Sequence, residues 1–186
     1  MDKLFKGIIE FRETDYKYYK ELFKKIGKSQ DPHTLFIGCC DSRIDPALIT
    51  KTLPGELFIV RNIANIVPYY RDTEEYVATT SAIEYAVEIL NVENIVVCGH
   101  SNCGGCAALY KPDSFFKDIP HVKKWLELSK NVKDEILKQM NSQNDFDEVE
   151  KMWMTEQINI VEQMDNLLTY PFIKEKYENG KLNIYG

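Results

Sequence analysis

The sequence predicts an α/β fold: a mainly parallel central sheet flanked by helices, with a helical second half. Short runs of consecutive apolar residues, typical of strands buried on both faces, alternate with helical patterns in the first half. Long helical patterns fill the second half. Strands that alternate with helices form parallel sheets covered on both sides. At 186 residues, the chain is expected to form a single domain spanning 1–186.

The first half alternates predicted strands with predicted helices. The first helix is expected at 14–28, where Thr14 or Asp15 can cap a segment with apolar residues at helical spacing. The buried strands are the apolar runs at 34–38, 57–60 and 94–99. Helical patterns follow each of these runs, around 46–50, over 74–90 and from 104 to 110.

The second half is predicted to be mostly helical. Two long segments, 121–140 and 148–168, carry apolar residues at helical spacing. A shorter helix at 171–178 is expected to end near Asn179-Gly180, a common stop signal for helices. The apolar residues within 182–185 then predict a fourth strand.

Composition and charge argue against several classes of protein. Lys plus Arg total 23 and Asp plus Glu total 29, so the net charge of −6 disfavours binding to nucleic acid or to an anionic membrane. The sequence has no apolar run near the ~20 residues of a membrane span. Its first residues lack the apolar core of a signal peptide. We therefore expect a cytoplasmic protein.

Metal-binding residues gather in two of the loops that follow predicted strands. Cys39 follows the first strand, and His100 and Cys103 follow the third. In parallel sheets the functional crevice lies beyond the carboxyl ends of the strands, which draws attention to these two loops. Two thiolates and one imidazole suit Zn²⁺ and leave a fourth coordination position open, as in catalytic zinc sites.

The residues alone leave the nature of this site open. Cys106, three residues after Cys103, can act as a fourth ligand and make the site a closed, structural one. Free cysteines are also often small buried hydrophobic residues, as we expect for Cys98 within its apolar strand. A catalytic zinc, a structural zinc and no metal therefore remain alternatives.

A carboxylate and a guanidinium lie beside the proposed ligands. In an extended segment alternate side chains project to the same side, so Cys39, Asp41 and Arg43 are expected to share one side. Cys40 then lies on the other side and is predicted to be a packing residue. The alternative for Asp41 and Arg43 is an ordinary surface ion pair, which contributes ~0–1 kcal/mol.

The sequence resembles the β-class carbonic anhydrases. The first part of the motif is Cys39-x-Asp41-Ser42-Arg43, and the second is the stretch from Cys98 to Gly105 that contains His100 and Cys103. Between them lie three further matching stretches, at 54–57, 61–65 and 81–86. The clear resemblance covers about residues 33–110, with weaker similarity through the helical second half.

The resemblance implies zinc-dependent, reversible hydration of carbon dioxide to bicarbonate and a proton. Cys39, His100 and Cys103 would bind one Zn²⁺ per chain. Asp41, held by Arg43, would orient the zinc-bound hydroxide, or would itself take the fourth position in a resting state. The matching substrate pocket consists of Gln30, Phe58, Ile63, Tyr85 and Gly104.

The resemblance also carries expectations about assembly and subclass. It implies a homodimer or tetramer in which the N-terminal region wraps a neighbouring subunit. Phe36 stands where the subclass with an allosteric bicarbonate site has Trp, although Arg61 is present, so we expect the permanently open subclass. Family members usually continue beyond the residues matching 182–186. The C-terminal strand region is therefore expected to be short or truncated.

Two rival functions remain from the sequence. The first is hydrolysis of carbon disulfide or carbonyl sulfide, which uses the same zinc centre within the same family. The second is a non-catalytic zinc or iron–sulfur binding module built on Cys103 and Cys106. Metal content and turnover of carbon dioxide distinguish these rivals from a carbonic anhydrase.

Overall fold

The computed structural model describes residues 2–75, 77–142 and 147–186. Within them, four parallel strands form one sheet in the order β2-β1-β3-β4. The predicted α/β class and all four predicted strands are confirmed, with small shifts at the ends. The strands are β1 (Thr34–Cys39), β2 (Leu57–Asn62), β3 (Asn94–Cys98) and β4 (Asn183–Tyr185).

The helices of the first half differ from the prediction mainly before β1. The predicted helix 14–28 is two short helices, α2 (Asp15–Tyr18) and α3 (Lys20–Ile26). An unpredicted helix, α1 (Asp2–Glu13), precedes them. The predicted cap is also wrong, because the Thr14 hydroxyl donates back to the Glu10 carbonyl of α1 at 2.7 Å.

Three further helices of the first half match predicted segments. They are α4 (Pro46–Thr50), α5 (Ala78–Glu84) and α6 (Gly104–Ala108). A π-helical turn, Tyr85–Ile89, extends α5 toward the predicted end at residue 90. Residue 76, inside the predicted helix 74–90, lies outside the described residues. The Asp45 carboxylate caps α4 by accepting from the Leu48 N–H at 2.8 Å.

The second half is helical, as predicted. The segment 121–140 is divided into α7 (Pro120–Leu126), a 3₁₀ turn and α8 (Lys130–Ser142). The helices α9 (Glu148–Leu167) and α10 (Pro171–Glu178) follow. A capping box between Asp147 and Glu150 starts α9. No helix in the described ranges is both long enough and apolar enough to cross a membrane.

The strand order brings two loops together. From β1 the chain passes to β2 on one side, and the next strand, β3, lies on the other side of β1. This reversal places a crevice at the carboxyl ends of β1 and β3. Gly38 and Cys98 are partners across these two strands, so the loops that follow β1 and β3 leave the sheet side by side.

Two clusters of buried side chains flank this crevice. The main core packs the central strands against α5, the π turn, α9 and α10; it includes Leu35, Ile37, Ile95, Val97, Ile83, Val87, Leu167, Tyr170 and Ile173. The second cluster surrounds the loops themselves and includes Cys39, Ala64, Cys103, Cys106, Phe116, Leu126 and Val132. Two of the three residues proposed as metal ligands, Cys39 and Cys103, therefore lie within an apolar cluster.

Candidate metal centre

Three side chains from the two loops converge at the carboxyl edge of the sheet. Cys39 is the last residue of β1, His100 follows β3, and Cys103 directly precedes α6. Their ligand atoms all lie within 4.8 Å of one another, and the two sulfur atoms are 4.0 Å apart. The chain thus assembles two thiols and one imidazole into a group of the size that one metal ion requires.

The hydrogen bonds of His100 fit a metal ligand. Its Nδ1 lies 3.0 Å from the Ser101 carbonyl oxygen, which can only accept, so Nδ1 carries the proton and Nε2 carries the lone pair. Nε2 is buried and has no hydrogen-bond partner in the described part of the chain. A buried ring nitrogen without a partner is unfavourable. A metal ion held between Nε2 and the two sulfurs would satisfy it.

The two thiols are poor acids in the absence of a metal. Hydrogen bonding with Cys103, together with burial, raises the pKa of Cys39 to about 12. A hydrogen bond with Cys106 and burial raise the pKa of Cys103 to about 11. Thiolates are the form that binds zinc, so a metal must displace these protons. The donor set, two sulfurs and one nitrogen, is typical of zinc.

The remaining cysteines lie outside this group. Cys106 is buried and Cys98 is half-buried, but neither joins the three ligand atoms. The prediction that Cys40 is a packing residue is wrong, because its side chain is exposed. It follows the end of β1, where the side opposite Cys39 is open to solvent. All five cysteines are free thiols.

Asp41 lies beside the candidate metal centre and is held by Arg43. The guanidinium donates to both carboxylate oxygens, from Nε to Oδ1 at 2.9 Å and from Nη2 to Oδ2 at 2.7 Å. This pairing holds the pKa of Asp41 well below its usual range. Asp41 Oδ2 is 3.9 Å from His100 Nε2, so the carboxylate faces the same space as the ligand atoms.

Arg61 supports the same loop from β2. Its Nε donates to the Cys39 carbonyl at 2.9 Å, and its Nη2 donates to the Asp41 carbonyl at 2.7 Å. These two bonds fix the backbone on either side of Cys40. Sequence reasoning noted Arg61 as part of a matching stretch and as a residue that the subclass with an allosteric site also has. A role on this loop is visible only once β1 and β2 are paired.

The five predicted pocket residues occupy different surroundings. Phe58 and Tyr85 stack, with ring centroids 6.0 Å apart, and Tyr85 is partly exposed on the π turn. Ile63 and Gly104 are exposed on the segments that follow β2 and Cys103. Gln30 is exposed in the segment before β1. The structure therefore places the Phe58 and Tyr85 rings in direct contact, whereas the other three residues lie on separate segments.

A row of buried polar side chains on α9 was not found by sequence reasoning. Glu156 accepts a hydrogen bond from the Cys103 N–H at 2.9 Å. Asn159 donates to the Ala64 carbonyl at 3.0 Å, and Gln163 accepts from the Val67 N–H at 2.7 Å. The signal in the sequence is the spacing i, i+3, i+7, which puts three polar residues on one helical face that is otherwise buried.

The turn held by this row has an unusual backbone. Ala64 and Asn65 both adopt left-handed conformations, with φ of 60° and 46°. Such a conformation is unfavourable for Ala and persists only where the surroundings impose it. The Asn62 side chain also bonds both the N–H and the carbonyl of Ile66 at 2.8 Å. The turn is thus fixed from both sides and presents Ile63 near the metal loops.

Comparison with known proteins identifies the family. A sequence model of the carbonic anhydrase family matches residues 34–186. A carbonic anhydrase of Helicobacter pylori strain J99 is 38% identical over 184 residues, which cover 98% of this chain and 82% of that protein. Beta carbonic anhydrase 3 of Arabidopsis thaliana is 34% identical over 191 residues, covering 100% of this chain and 71% of that protein.

Solved structures agree with the sequence relatives. The β-carbonic anhydrase CcaA superposes with a TM-score of 0.92 at 34% identity, covering 99% of this chain and 80% of that one. A β-carbonic anhydrase of Sordaria macrospora, described as tetrameric, superposes with a TM-score of 0.83 at 30% identity, covering 99% and 89%. The match extends over the fold, the sheet and both metal loops, and the chain therefore belongs to the β-carbonic anhydrase family, the lyases that hydrate carbon dioxide.

Proposed function

We propose that this protein hydrates carbon dioxide reversibly to bicarbonate and a proton at one Zn²⁺ held by Cys39, His100 and Cys103. The observation that carries the proposal is the buried Nε2 of His100, which faces two thiols and has no hydrogen-bond partner among the described residues. When bound, zinc supplies a water of lowered pKa, near 7, which gives a hydroxide nucleophile at neutral pH. Hydration requires only that such a nucleophile attack the carbon atom, because carbon dioxide carries no proton that must first be removed.

Asp41 is proposed to orient the attacking oxygen. Its Oδ1 accepts from both the Nε and the backbone N–H of Arg43, at 2.9 Å each. Its Oδ2 accepts one bond from Arg43 and faces His100, so it keeps a lone pair for a further donor. A water O–H that donates to this lone pair turns its own oxygen lone pair toward the substrate.

The hydrogen bonds from Arg43 to Asp41 favour the open form of the site, in which the fourth coordination position is free. They disfavour the resting form, in which Asp41 would take that position. To reach the fourth metal position, the Asp41 carboxylate would have to give up charge-assisted, bidentate hydrogen bonds, which are the strongest kind in proteins. Arg43 also donates from Nη2 to the Asn102 carbonyl at 3.0 Å, so its own position is fixed by the second metal loop. This supports the open subclass expected from the sequence.

Gln30, Phe58, Ile63, Tyr85 and Gly104 are proposed to line the substrate pocket. The stacked Phe58 and Tyr85 rings and the Ile63 side chain are apolar, which suits a small apolar substrate. Their partial exposure leaves room for a second chain to complete the pocket.

The protein is proposed to act as a homodimer, or as a tetramer built from dimers. Every residue of α1 is exposed, including a set of large apolar side chains: Leu4, Phe5, Ile8, Ile9 and Phe11. An amphipathic helix gains stability chiefly by packing its apolar face. A second copy of the chain is the proposed partner. Free thiols are typical of a reducing compartment, so we propose a cytoplasmic location.

A stopped-flow assay of carbon dioxide hydration on metal-analysed protein tests the function. About one zinc and no iron per chain, with turnover of carbon dioxide that is lost in Cys39→Ser, is the expected result. Faster turnover of carbon disulfide than of carbon dioxide would assign the rival hydrolase instead. Bound iron, or zinc without any turnover, would assign a non-catalytic metal-binding module.

A further inference from the structure

Glu156 is a buried carboxylate that the proposed mechanism does not use. It lies on α9 and is 5% exposed. No Lys or Arg in the described ranges forms an ion pair with it. A buried carboxylate without a cation is costly unless it is well hydrogen-bonded or its charge serves another group. Its Oε1 accepts from the Cys103 N–H at 2.9 Å, 53 residues away in sequence.

This hydrogen bond replaces a local cap. Cys103 is the residue that precedes α6, and its own side chain makes no capping bond. In a capping box the third helical residue, usually Glu or Gln, accepts from the N–H of the cap residue. Here the third residue is Cys106, whose sulfur is only a weak acceptor, and Glu156 supplies the acceptor from another helix. The bond fixes the backbone from which the Cys103 sulfur projects.

The same helix face holds the other side of the site. Asn159, one turn beyond Glu156, donates to the carbonyl of the left-handed residue Ala64 at 3.0 Å. Gln163 links to Asn159, donating from Nε2 to Oδ1 at 3.0 Å. Because α9 is a single helix of 20 residues, one rigid helix holds both Cys103 and the turn that presents Ile63.

We propose that Glu156 is a positioning residue for the metal ligand Cys103. The proposal rests on the proposed zinc function and adds a residue to it. The carboxylate oxygen accepts from the Cys103 N–H and so orients the backbone that carries the ligand sulfur. A ligand that is already oriented favours the metal-bound form over the metal-free form. Partners that orient metal ligands typically contribute about 10–100-fold to metal affinity.

The test compares four variants by zinc affinity, measured in competition with a chromophoric chelator. Glu156→Leu and Glu156→Ala both remove the acceptor, and the two together guard against failure of one to fold. Glu156→Gln keeps an acceptor oxygen at the same place. Asp165→Ala, an exposed carboxylate on the same helix, is the matched control. Visible spectra of the cobalt(II)-substituted proteins report the thiolate geometry, and thermal unfolding of the metal-free proteins reports stability.

We expect Leu and Ala at position 156 to weaken zinc binding by about 10–100-fold and to alter the sulfur-to-cobalt bands. Glu156→Gln should retain most of the wild-type zinc affinity and most of the wild-type cobalt spectrum. Asp165→Ala should match the wild type in both measurements. A purely structural role would instead lower metal-free unfolding temperatures with unchanged affinity and spectra, and that result would overturn this proposal alone. Equal losses of zinc affinity in Glu156→Gln and Glu156→Leu would also overturn the proposal. A wild type that binds no zinc would overturn the proposed function, and this proposal with it.

Discussion

Arg43 holds Asp41 through two parallel hydrogen bonds, from Nε to Oδ1 at 2.9 Å and from Nη2 to Oδ2 at 2.7 Å. The same Nη2 donates to the Asn102 carbonyl at 3.0 Å. The pair therefore bridges the loop after β1 and the loop after β3. Although the Arg43 side chain is 59% exposed, its fork geometry sets the direction of a carboxylate that faces the metal ligands.

Loss of Arg43 or of Asp41 should impair the reaction without loss of metal. Arg43→Ala and Asp41→Ala each leave two thiols and a histidine, so zinc content should stay near one per chain. Each should slow hydration by ~10²-fold or more, the usual scale for one positioned catalytic group. Because the two act as a unit, the double variant should be little slower than either single one. Zinc analysis and stopped-flow rates measure this.

Arg71→Ala provides the control for a surface ion pair. Arg71 pairs with Glu75 four residues away, and both are more than half exposed. Its loss should leave the rate near the wild-type value. Normal activity in Arg43→Ala, or losses that multiply in the double variant, would contradict joint action of Asp41 and Arg43.

Serine substitution should separate the metal ligands from the other cysteines. Cys39→Ser and Cys103→Ser should lose most bound zinc, because an alcohol is a much weaker zinc ligand than a thiolate. Cys40→Ser, at an exposed position next to Cys39, should retain about one zinc per chain. Cys106→Ser tests the fourth-ligand alternative, and loss of zinc in it would show that the site is closed by Cys106.

Zinc affinity should rise with pH. The raised pKa values of Cys39 and Cys103, about 12 and about 11, mean that both thiols are protonated in the metal-free site at neutral pH. Binding must release about two protons, so the apparent association constant should increase by about 100-fold per pH unit. Chelator competition between pH 6 and 8 measures the slope. A constant affinity across this range would mean that the thiols are already ionised.

Gly105 should be intolerant of any side chain. A Cβ at this position would lie 2.7 Å from the Ala64 Cβ and 3.1 Å from Ile63 Cγ2. Since Ala64 is held in a left-handed turn, it cannot easily move away. Gly105→Ala should therefore destabilise the protein by about 1–3 kcal/mol. Gly104→Ala is the control, because a Cβ there would meet no atom of the described residues within 4 Å. Thermal melts that rank the two variants in the opposite order would contradict this packing.

Charge on α1 should disrupt the oligomer. Leu4 and Ile8, one turn apart, are 64% and 48% exposed in the single chain. Replacing both with Glu would put charge into the proposed contact with a second copy. Sedimentation should show a dimer or tetramer for the wild type and a smaller species for the variant. Lys6→Glu, which makes the same total change in charge on the helix but lies away from the surface formed by Leu4, Ile8 and Phe11, controls for charge alone. A monomeric, fully active wild type would remove the proposed interface.

Local patterns in the sequence were sufficient to predict the strands of the sheet and the candidate metal ligands. Strands buried on both faces are continuous apolar runs, and this property belongs to each segment by itself. The ligand set was found because cysteine and histidine are few and follow two of those runs. By contrast, α1 was missed. Its large apolar side chains are exposed in the single chain, and the ring of Phe11 contacts only the rings of Tyr16 and Phe23 among the described residues, so nothing marked the helix as part of the core.

The tertiary structure alone decided how the site is held. Glu156 meets the Cys103 N–H across 53 residues, and Asn159 meets the Ala64 carbonyl across 95 residues. Neither pairing could be predicted from the sequence. The spacing i, i+3, i+7 shows that the three polar residues share a helical face, but only the packing of that helix shows that the face is buried and which backbone groups it meets. The exposure of Cys40 was misjudged for the same reason. Alternation along a strand places neighbouring side chains on opposite sides, but only the packed fold decides which side is covered by other residues.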